Sequence, residues 1–373
     1  MAIDVHGADT GVSDTDASDT THANTDASDT ATSDTAISAA AGSHAAASHT
    51  AGSDTATPHA VISILEPLGV PDAALQAELG TLPEHVTVRS YDTRPRDDDE
   101  LIERVKDAEA LVVTNLPLRR AVLERCPKLR TIAVAFVGFD HVDLDYCREH
   151  GITVSNCPGY SNEAVAELVM LLTLALLRDV KANDVAARSA QTSEGLRRNE
   201  IAGKTFGIIG TGNIGRRVAE LAQAFGARIV AWNRTPRDIE GIEFLPLDDV
   251  MRQADIITVH VSSTPQTAHL VSRQLIGLMK PNAALINTAR GPVVDNAALA
   301  EALNAGQIAG AGIDVFDEEP PLPADEPLLH APHTILTPHI GYATDEALGK
   351  RLHELFANIR AYLHDGTPTN LVV

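Results

Sequence analysis

One stretch, Lys204–Arg237 (KTFGIIGTGNIGRRVAELAQAFGARIVAWNRTPR), constrains this chain more than any other. The apolar run Thr205–Ile209 leads straight into Gly210-Thr211-Gly212-Asn213-Ile214-Gly215. Val218, Leu221, Ala222 and Phe225 then recur at helical spacing, Gly226 stops the helix, and Arg228–Trp232 reads as a second strand. In this strand–turn–helix–strand setting each glycine has its own task. Gly210 permits the tight turn, Gly212 lets backbone approach a pyrophosphate with no Cβ in the way, and Gly215 allows the helix to pack closely on the strand. Unpaired N–H groups and the positive end of the helix dipole then face the phosphates, beside Asn213 and Ile214. A GxGxxG run alone is weak evidence, because ordinary glycine turns also produce it. Both strands and the helix turn it into a dinucleotide-binding unit.

The end of the second strand says which dinucleotide. An NAD site usually places Asp or Glu about 20 residues beyond the first glycine, to accept hydrogen bonds from the ribose. Here that place holds Asn233, followed by Arg234, Thr235 and, after Pro236, Arg237. A carboxylate would repel a 2′-phosphate, whereas an amide beside a guanidinium fork and a hydroxyl suits it. The arrangement favours NADP(H), with NAD(H) possible.

At 373 residues the chain suits two domains with real cores. Its net charge of −22 argues against nucleic acid or an anionic membrane surface as partner. Residues 1–59 hold nine Asp and no Lys or Arg, repeat TDASDT at Thr15–Thr20 and Thr25–Thr30, and have little to bury, so a disordered acidic tail is expected. The N-terminus lacks a basic n-region, and the longest apolar stretch, Ala164–Leu177, is interrupted by Glu167 and too short to span a bilayer. Cys126, Cys147 and Cys157 are odd in number and lack CxxC spacing, which reads as incidental or buried thiols. A soluble cytoplasmic protein with no metal site is expected.

From Val61 strands and helices alternate. Val61–Leu65, Val86–Tyr91, Ala110–Thr114, Thr131–Ala135 and Ile152–Asn156 are short apolar runs, and helical stretches around Ala73–Leu79, Asp98–Asp107 and Arg119–Arg125 separate the first four. That predicts a flavodoxin-like parallel sheet. One long apolar helix is expected from Ala164 to about Ala187. After the glycine unit the alternation resumes, with strands at Ile256–Val261, Ala283–Thr288, Ala309–Val315 and around Ile335, and a last amphipathic helix over about Asp345–Leu363. The expected fold class is α/β, with two doubly wound parallel sheets and the ligand crevice at the strand carboxyl ends.

Three strand ends bring chemistry to that crevice. Ile286-Asn287-Thr288-Ala289-Arg290-Gly291 delivers an arginine, whose planar fork grips a carboxylate in two places. Gly310–Pro320 opens from a strand into the acidic turn Asp314-Val315-Phe316-Asp317-Glu318-Glu319, and Thr337-Pro338-His339-Ile340-Gly341 holds a histidine between proline and glycine. Each has a structural reading: a surface ion pair for Arg290, a solvated charge for Glu319, a packed ring for His339. Together beside a nicotinamide site they fit hydride transfer to a 2-oxo acid. Arginine binds the carboxylate, histidine supplies the proton, and the acid orients the imidazole.

At these residues the chain, from about Val61 to Val373, resembles the D-isomer-specific 2-hydroxyacid dehydrogenases. The glycine turn, NTARG at Asn287–Gly291, DVFDEEP at Asp314–Pro320 and TPHIGYAT at Thr337–Thr344 stand in that family's order and spacing. The resemblance implies that Arg290 binds substrate, that Glu319 pairs with His339, and that His339 is the acid/base. It implies cofactor contacts from Thr288, Ala289, Asp314 (at the nicotinamide carboxamide) and Gly341. A substrate loop at Ala135–Asp140 would turn the backbone of Val137 and Gly138 towards the substrate carboxylate. Many members have a small residue where Phe136 stands, and the bulk of Phe136 and Phe139 points to a small substrate. The resemblance also implies a discontinuous substrate domain, 60–158 plus 341–373, around a cofactor domain at 159–340, and a homodimer. Glyoxylate, hydroxypyruvate or pyruvate are the expected substrates. A phosphite-type small-anion dehydrogenase and a nucleotide-sensing corepressor of the same fold are the alternatives.

Overall fold

The computed structural model describes residues 60–235, 237–318 and 322–373. The acidic tail, Pro236 and Glu319–Pro321 lie outside them. The first five strands are β1 (Val61–Ile64), β2 (Thr87–Ser90), β3 (Ala110–Val113), β4 (Thr131–Val134) and β5 (Thr153–Ser155). They alternate with helices α1 (Asp72–Leu79), α2 (Asp98–Val105), α3 (Arg120–Leu123) and α4 (Leu144–His150), and pair in parallel in the order β2-β1-β3-β4-β5. This is the flavodoxin-like order. Helices cover both faces, so β3 and β4 are buried at every position and read as unbroken apolar runs.

Next come helices α5 (Asn162–Leu177) and α6 (Val180–Arg188). The single helix expected over this span is two. Leu-rich packing ends at Leu177, Asp179 turns left-handed at φ 42°, and α6 buries none of its residues. Asn183 Nδ2 donates to the carbonyls of Arg178 and Asp179 at the break, and the Asp179 carboxylate accepts from Arg197 N.

A seven-stranded sheet follows. Its strands are β6 (Thr205–Ile209), β7 (Arg228–Trp232), β8 (Ile242–Phe244), β9 (Ile256–Val259), β10 (Ala284–Asn287), β11 (Gly310–Ile313) and β12 (Thr334–Leu336). Its helices are α7 (Asn213–Ala224), α8 (Leu247–Gln253), α9 (Arg273–Ile276), α10 (Asn296–Asn304) and α11 (Pro327–His330). The parallel order β12-β11-β10-β9-β6-β7-β8 is doubly wound, with the switch point between β6 and β9. Both sheets lie within one unit, 56–373. α5 packs Leu168, Leu172 and Leu176 against Phe206, Ile208 and Ile286 of this sheet. Leu172 is fully enclosed, so Leu172→Ala would cost about 2–5 kcal/mol.

The last helix, α12 (Asp345–Asp365), returns to the first sheet. It sets Leu352, Leu355, Phe356 and Ile359 against Ile62, Ile64 and Val112, and the chain end bonds to β5 through Val154 N and the Val373 carbonyl (2.8 Å). Three elements were not anticipated, one of them the four-residue helix α11, whose first turn is capped by the Glu326 side chain accepting from Leu328 N. α4 is capped by Asp143 and ended by left-handed Gly151, and β8 is a three-residue edge strand too short to show alternation. No helix among the described residues is long and apolar enough to cross a membrane.

Candidate active site

The glycine turn sits at the carboxyl end of β6. Gly210 has φ 98°, and a Cβ there would lie 2.7–2.8 Å from Val261 Cγ1 and the His260 carbonyl. A Cβ on Gly215 would overlap the Gly210 carbonyl, so α7 could not pack as it does. Above Gly212, by contrast, no atom lies within 4 Å, leaving backbone open beside the N-terminus of α7, with Asn213 and Ile214 in its first turn. This is a cradle of the shape a pyrophosphate needs. Thr288, directly after β10, adds a buried hydroxyl with no hydrogen-bond partner among the described residues, lining the same cleft. Both features fit a dinucleotide.

Asn233 is tied to the glycine turn. Its Oδ1 accepts from Thr211 N (2.7 Å) and its Nδ2 donates to Thr211 Oγ1 (2.5 Å), so the amide clamps the glycine turn to the end of β7. Arg234, Thr235 and Arg237 are exposed, and neither arginine forms an ion pair among the described residues.

Asp314, at the carboxyl end of β11, is the hub of the three strand ends. It is 1 % exposed. Its backbone N–H donates to the Asn287 carbonyl (3.0 Å). Its carboxylate accepts from Thr337 Oγ1 (2.6 Å), Ile340 N (2.8 Å) and Gly341 N (2.8 Å). Burial pushes the carboxyl up from the ordinary range, against the pull of these donors. They bend the chain so that His339 takes a left-handed φ of 56° while its own N–H donates to the Asp314 carbonyl (2.8 Å). A non-glycine residue held at positive φ is costly, and such positions cluster at functional sites.

Arg290 leaves β10 through a loop tied by Asn287, whose side chain donates to the Arg290 carbonyl and accepts from Ala289 N. Gly291 permits that path, because a Cβ there would overlap the Phe316 backbone. Opposite stands the loop Ala135–Asp140, from the carboxyl end of β4. The carbonyl of Phe136 accepts from Cys157 N and that of Val137 from Asn156 Nδ2 (2.7 Å). No acceptor among the described residues takes the N–H of Val137 or Gly138. Arg290 Nη2 lies 3.8 Å from Asp140 Oδ1 and so near Gly138 that a Cβ would overlap it.

Between the two walls runs a cavity of about 440 Å³, lined by Phe136–Asp140, Ile214, Thr288–Arg290, Asp314, His339 and Gly341 among others. The structure thus brings together Arg290, His339, Asp314, Val137, Gly138, Thr288, Ala289 and Gly341. Glu319 lies outside the described residues. A second chamber of about 550 Å³ opens beside Arg290, lined also by Arg94, Asn115 and His141. Behind it Glu66 is buried, accepting from Thr114 N, Asn115 N and Leu116 N and pairing with Arg94 Nε at 3.0 Å. Burial lowers the pKa of His141, with Asp140 and Glu66 opposing.

Sequence reasoning missed His260, which lines the cleft after β9 and bonds Thr258 Oγ1 (2.9 Å). Its strand-end position, matching those of Thr288 and Asp314, was the available signal. It also passed over Tyr160, which no pattern marks, and Tyr342, which lies within the TPHIGYAT segment.

Comparison with known proteins bears on this site. Residues 170–341 match a family profile described as D-isomer specific 2-hydroxyacid dehydrogenase, NAD binding domain. The chain is 36% identical over 305 residues to a glyoxylate reductase of Korarchaeum cryptofilum, covering 79% of this chain and 92% of that protein. It is 41% identical over 256 residues to a D-3-phosphoglycerate dehydrogenase of Methanocaldococcus jannaschii, covering 67% of this chain but only about half, 48%, of that relative. Among solved structures, an NADPH-dependent glyoxylate/hydroxypyruvate reductase of Sinorhizobium meliloti in complex with citrate has a TM-score of 0.73 at 30% identity, over 84% of this chain and 98% of that one.

Proposed function

Because the chain belongs to the D-isomer specific 2-hydroxyacid dehydrogenase family, a family of NAD(P)-dependent oxidoreductases, we propose that it reduces small 2-oxo acids and prefers NADP(H). The observation that carries the substrate class is the pairing of Arg290 with two unclaimed N–H groups, those of Val137 and Gly138, in a cleft that also holds His339. A cation and two backbone donors converging from opposite walls make a carboxylate site.

A nicotinamide cofactor held in the cradle would supply the hydride chemistry. The chain's own residues do the rest. Arg290 holds the carboxylate and draws density towards the 2-oxo oxygen. His339 gives a proton to that oxygen as it gains charge, and Glu319, on the residue-by-residue resemblance, orients the imidazole. Asp314 keeps the His339 loop bent and, on the resemblance, would hold the nicotinamide carboxamide, and Phe136 with Tyr342 keeps water from the reacting face. In the cofactor cradle Gly210, Gly212, Asn213, Ile214 and Gly215 would hold the pyrophosphate.

The NADP(H) preference rests on the absence of a carboxylate at Asn233 and on two exposed guanidinium groups, Arg234 and Arg237, that form no ion pair among the described residues, beside Thr235. A homodimer is also proposed, through the exposed apolar face of α5 and α6, where Leu171, Val180 and Val185 stand out. Steady-state reduction of glyoxylate, hydroxypyruvate and pyruvate with NADPH and with NADH, side by side, tests the reading. The expected result is turnover of at least one acid, faster with NADPH. Failure of all three with both nucleotides overturns it.

A further inference from the structure

We propose that Arg351, on α12, is a positioning residue that holds Phe136, Tyr160 and Tyr342 as one aromatic wall, and that this wall confines the site to 2-oxo acids with the smallest side groups. The proposal rests on reading the cleft as a 2-oxo-acid site.

Arg351 is 2 % exposed, and no carboxylate among the described residues lies within ion-pair distance of it. Its Nη2 donates to the Leu68 carbonyl. Its guanidinium carbon is 5.4 Å from the ring centroid of Phe136, 5.9 Å from that of Tyr160 and 6.0 Å from that of Tyr342. An arginine buried without a carboxylate is costly to desolvate, and an apolar side chain of similar size would pack the same space more cheaply. What an apolar residue cannot do is attract three ring faces at once. Cation–π attraction is directional and gains strength away from water, so one guanidinium fixes three rings relative to one another.

All three rings line the 440 Å³ cleft. Phe136 and Tyr342 meet edge to face, with centroids 4.7 Å apart and planes at 82°. Tyr342 meets the His339 ring in the same way, at 5.5 Å and 86°. The chain of contacts therefore runs from Arg351 to Tyr342 to the imidazole, and Phe136 precedes the two N–H groups assigned to the carboxylate. A substrate anchored there has its side group against Phe136 and Tyr342. A hydrogen or a hydroxymethyl group fits beside rings that cannot move apart, and a branched chain does not.

The test is the ratio of kcat/KM for glyoxylate to that for 4-methyl-2-oxopentanoate, measured on the wild type, Tyr342→Ser, Arg351→Met and Arg351→Lys. A ratio is independent of the active fraction, so partial loss of folded enzyme cannot mimic the effect. The wild type should favour glyoxylate. Tyr342→Ser and Arg351→Met should each move the ratio towards the branched acid by about tenfold or more, the scale on which pockets discriminate small apolar groups. Arg351→Lys, which keeps a cation, should stay close to the wild type. If Arg351→Met does not fold, Tyr342→Ser and Arg351→Lys still decide. Preference of the wild type for the branched acid overturns the proposal, as does an unchanged ratio in Tyr342→Ser or in a folded Arg351→Met. Loss of glyoxylate preference in Arg351→Lys equal to that in Tyr342→Ser overturns the role given to the cation. No turnover of either acid, or of hydroxypyruvate or pyruvate, by the wild type overturns the 2-oxo-acid reading itself.

Discussion

Gly138 and Arg290 stand on opposite walls of the cleft, after β4 and β10, yet the guanidinium lies where a Cβ of residue 138 would be. Glycine here leaves the guanidinium tip the space it occupies. Gly138→Ala must push Arg290 out of line or open the cleft, and displacements of about 1 Å cost on the order of a hundredfold in rate. We expect kcat/KM for glyoxylate to fall by about that factor while circular dichroism and the melting temperature stay near those of the wild type. An unimpaired alanine variant would sink the idea that this approach sets the carboxylate site.

Asp314 accepts from one hydroxyl and two backbone N–H groups that shape the His339 turn. Asp314→Asn replaces one acceptor oxygen with a donor that faces those donors. Leaving buried N–H groups unmatched costs about 1–3 kcal/mol each. The expected result is a lower melting temperature together with a fall in kcat larger than any rise in KM, because His339 is displaced. A variant with normal kcat would mean that the turn does not need the carboxylate.

Much of this was legible in the sequence because the relevant signals are local. A βαβ unit with its glycines fits in about thirty residues, and Arg290, Asp314 and His339 each follow an apolar strand within a few positions. What escaped was set by tertiary placement. The break at Asp179 depends on Asn183 and Arg197 meeting the end of α5. Arg351 looks like any solvated arginine on an amphipathic helix until α12 folds against Phe136 and Tyr160. The bond from Thr211 N to Asn233, 22 residues away, likewise appears only once β7 lies beside β6.

Since Asn233 clamps the glycine turn, the 2′-phosphate would be held chiefly by Arg234. Arg234→Ala should lower the NADPH-to-NADH ratio of kcat/KM by about tenfold, since a charge-assisted hydrogen bond contributes about 1.5–3 kcal/mol and partial exposure weakens it. Asn233→Asp keeps the acceptor for Thr211 N but adds a charge, and should turn the preference towards NADH. Unchanged ratios in both variants would show that these residues do not read the ribose.

All three thiols are buried, at Cys126, Cys147 and Cys157. Burial pushes Cys126 up to about 12 and Cys147 to about 11, and raises Cys157 as well. Thiolate is the reactive form. Native protein at pH 8 should therefore react with a thiol-specific disulfide reagent only as fast as it unfolds, and denatured protein should yield three thiols at once. Rapid labelling of the native chain would contradict the burial.

His260, the cleft's other histidine beside the proton donor proposed at His339, is held neutral by burial. Its surroundings desolvate the ring and hold its pKa well below the ordinary imidazole value, and Thr258 is its hydrogen-bond partner. The folded state therefore resists protonation while the unfolded chain accepts a proton near pH 6.5. The stability contributed by neutral His260 is fully present above about pH 6.5 and is lost as pH falls below that value, because there the unfolded state binds more protons. Removing the imidazole removes this penalty on acidification. His260→Asn should thus be less stable than the wild type at pH 7.5, with the gap narrowing at pH 5.5 in urea denaturation followed by fluorescence. A gap that widens on acidification would mean that His260 carries a proton in the folded state. In that case two histidines of the cleft could donate to the substrate, and the assignment of the acid to His339 alone would have to be tested by the pH profile of kcat in each single variant.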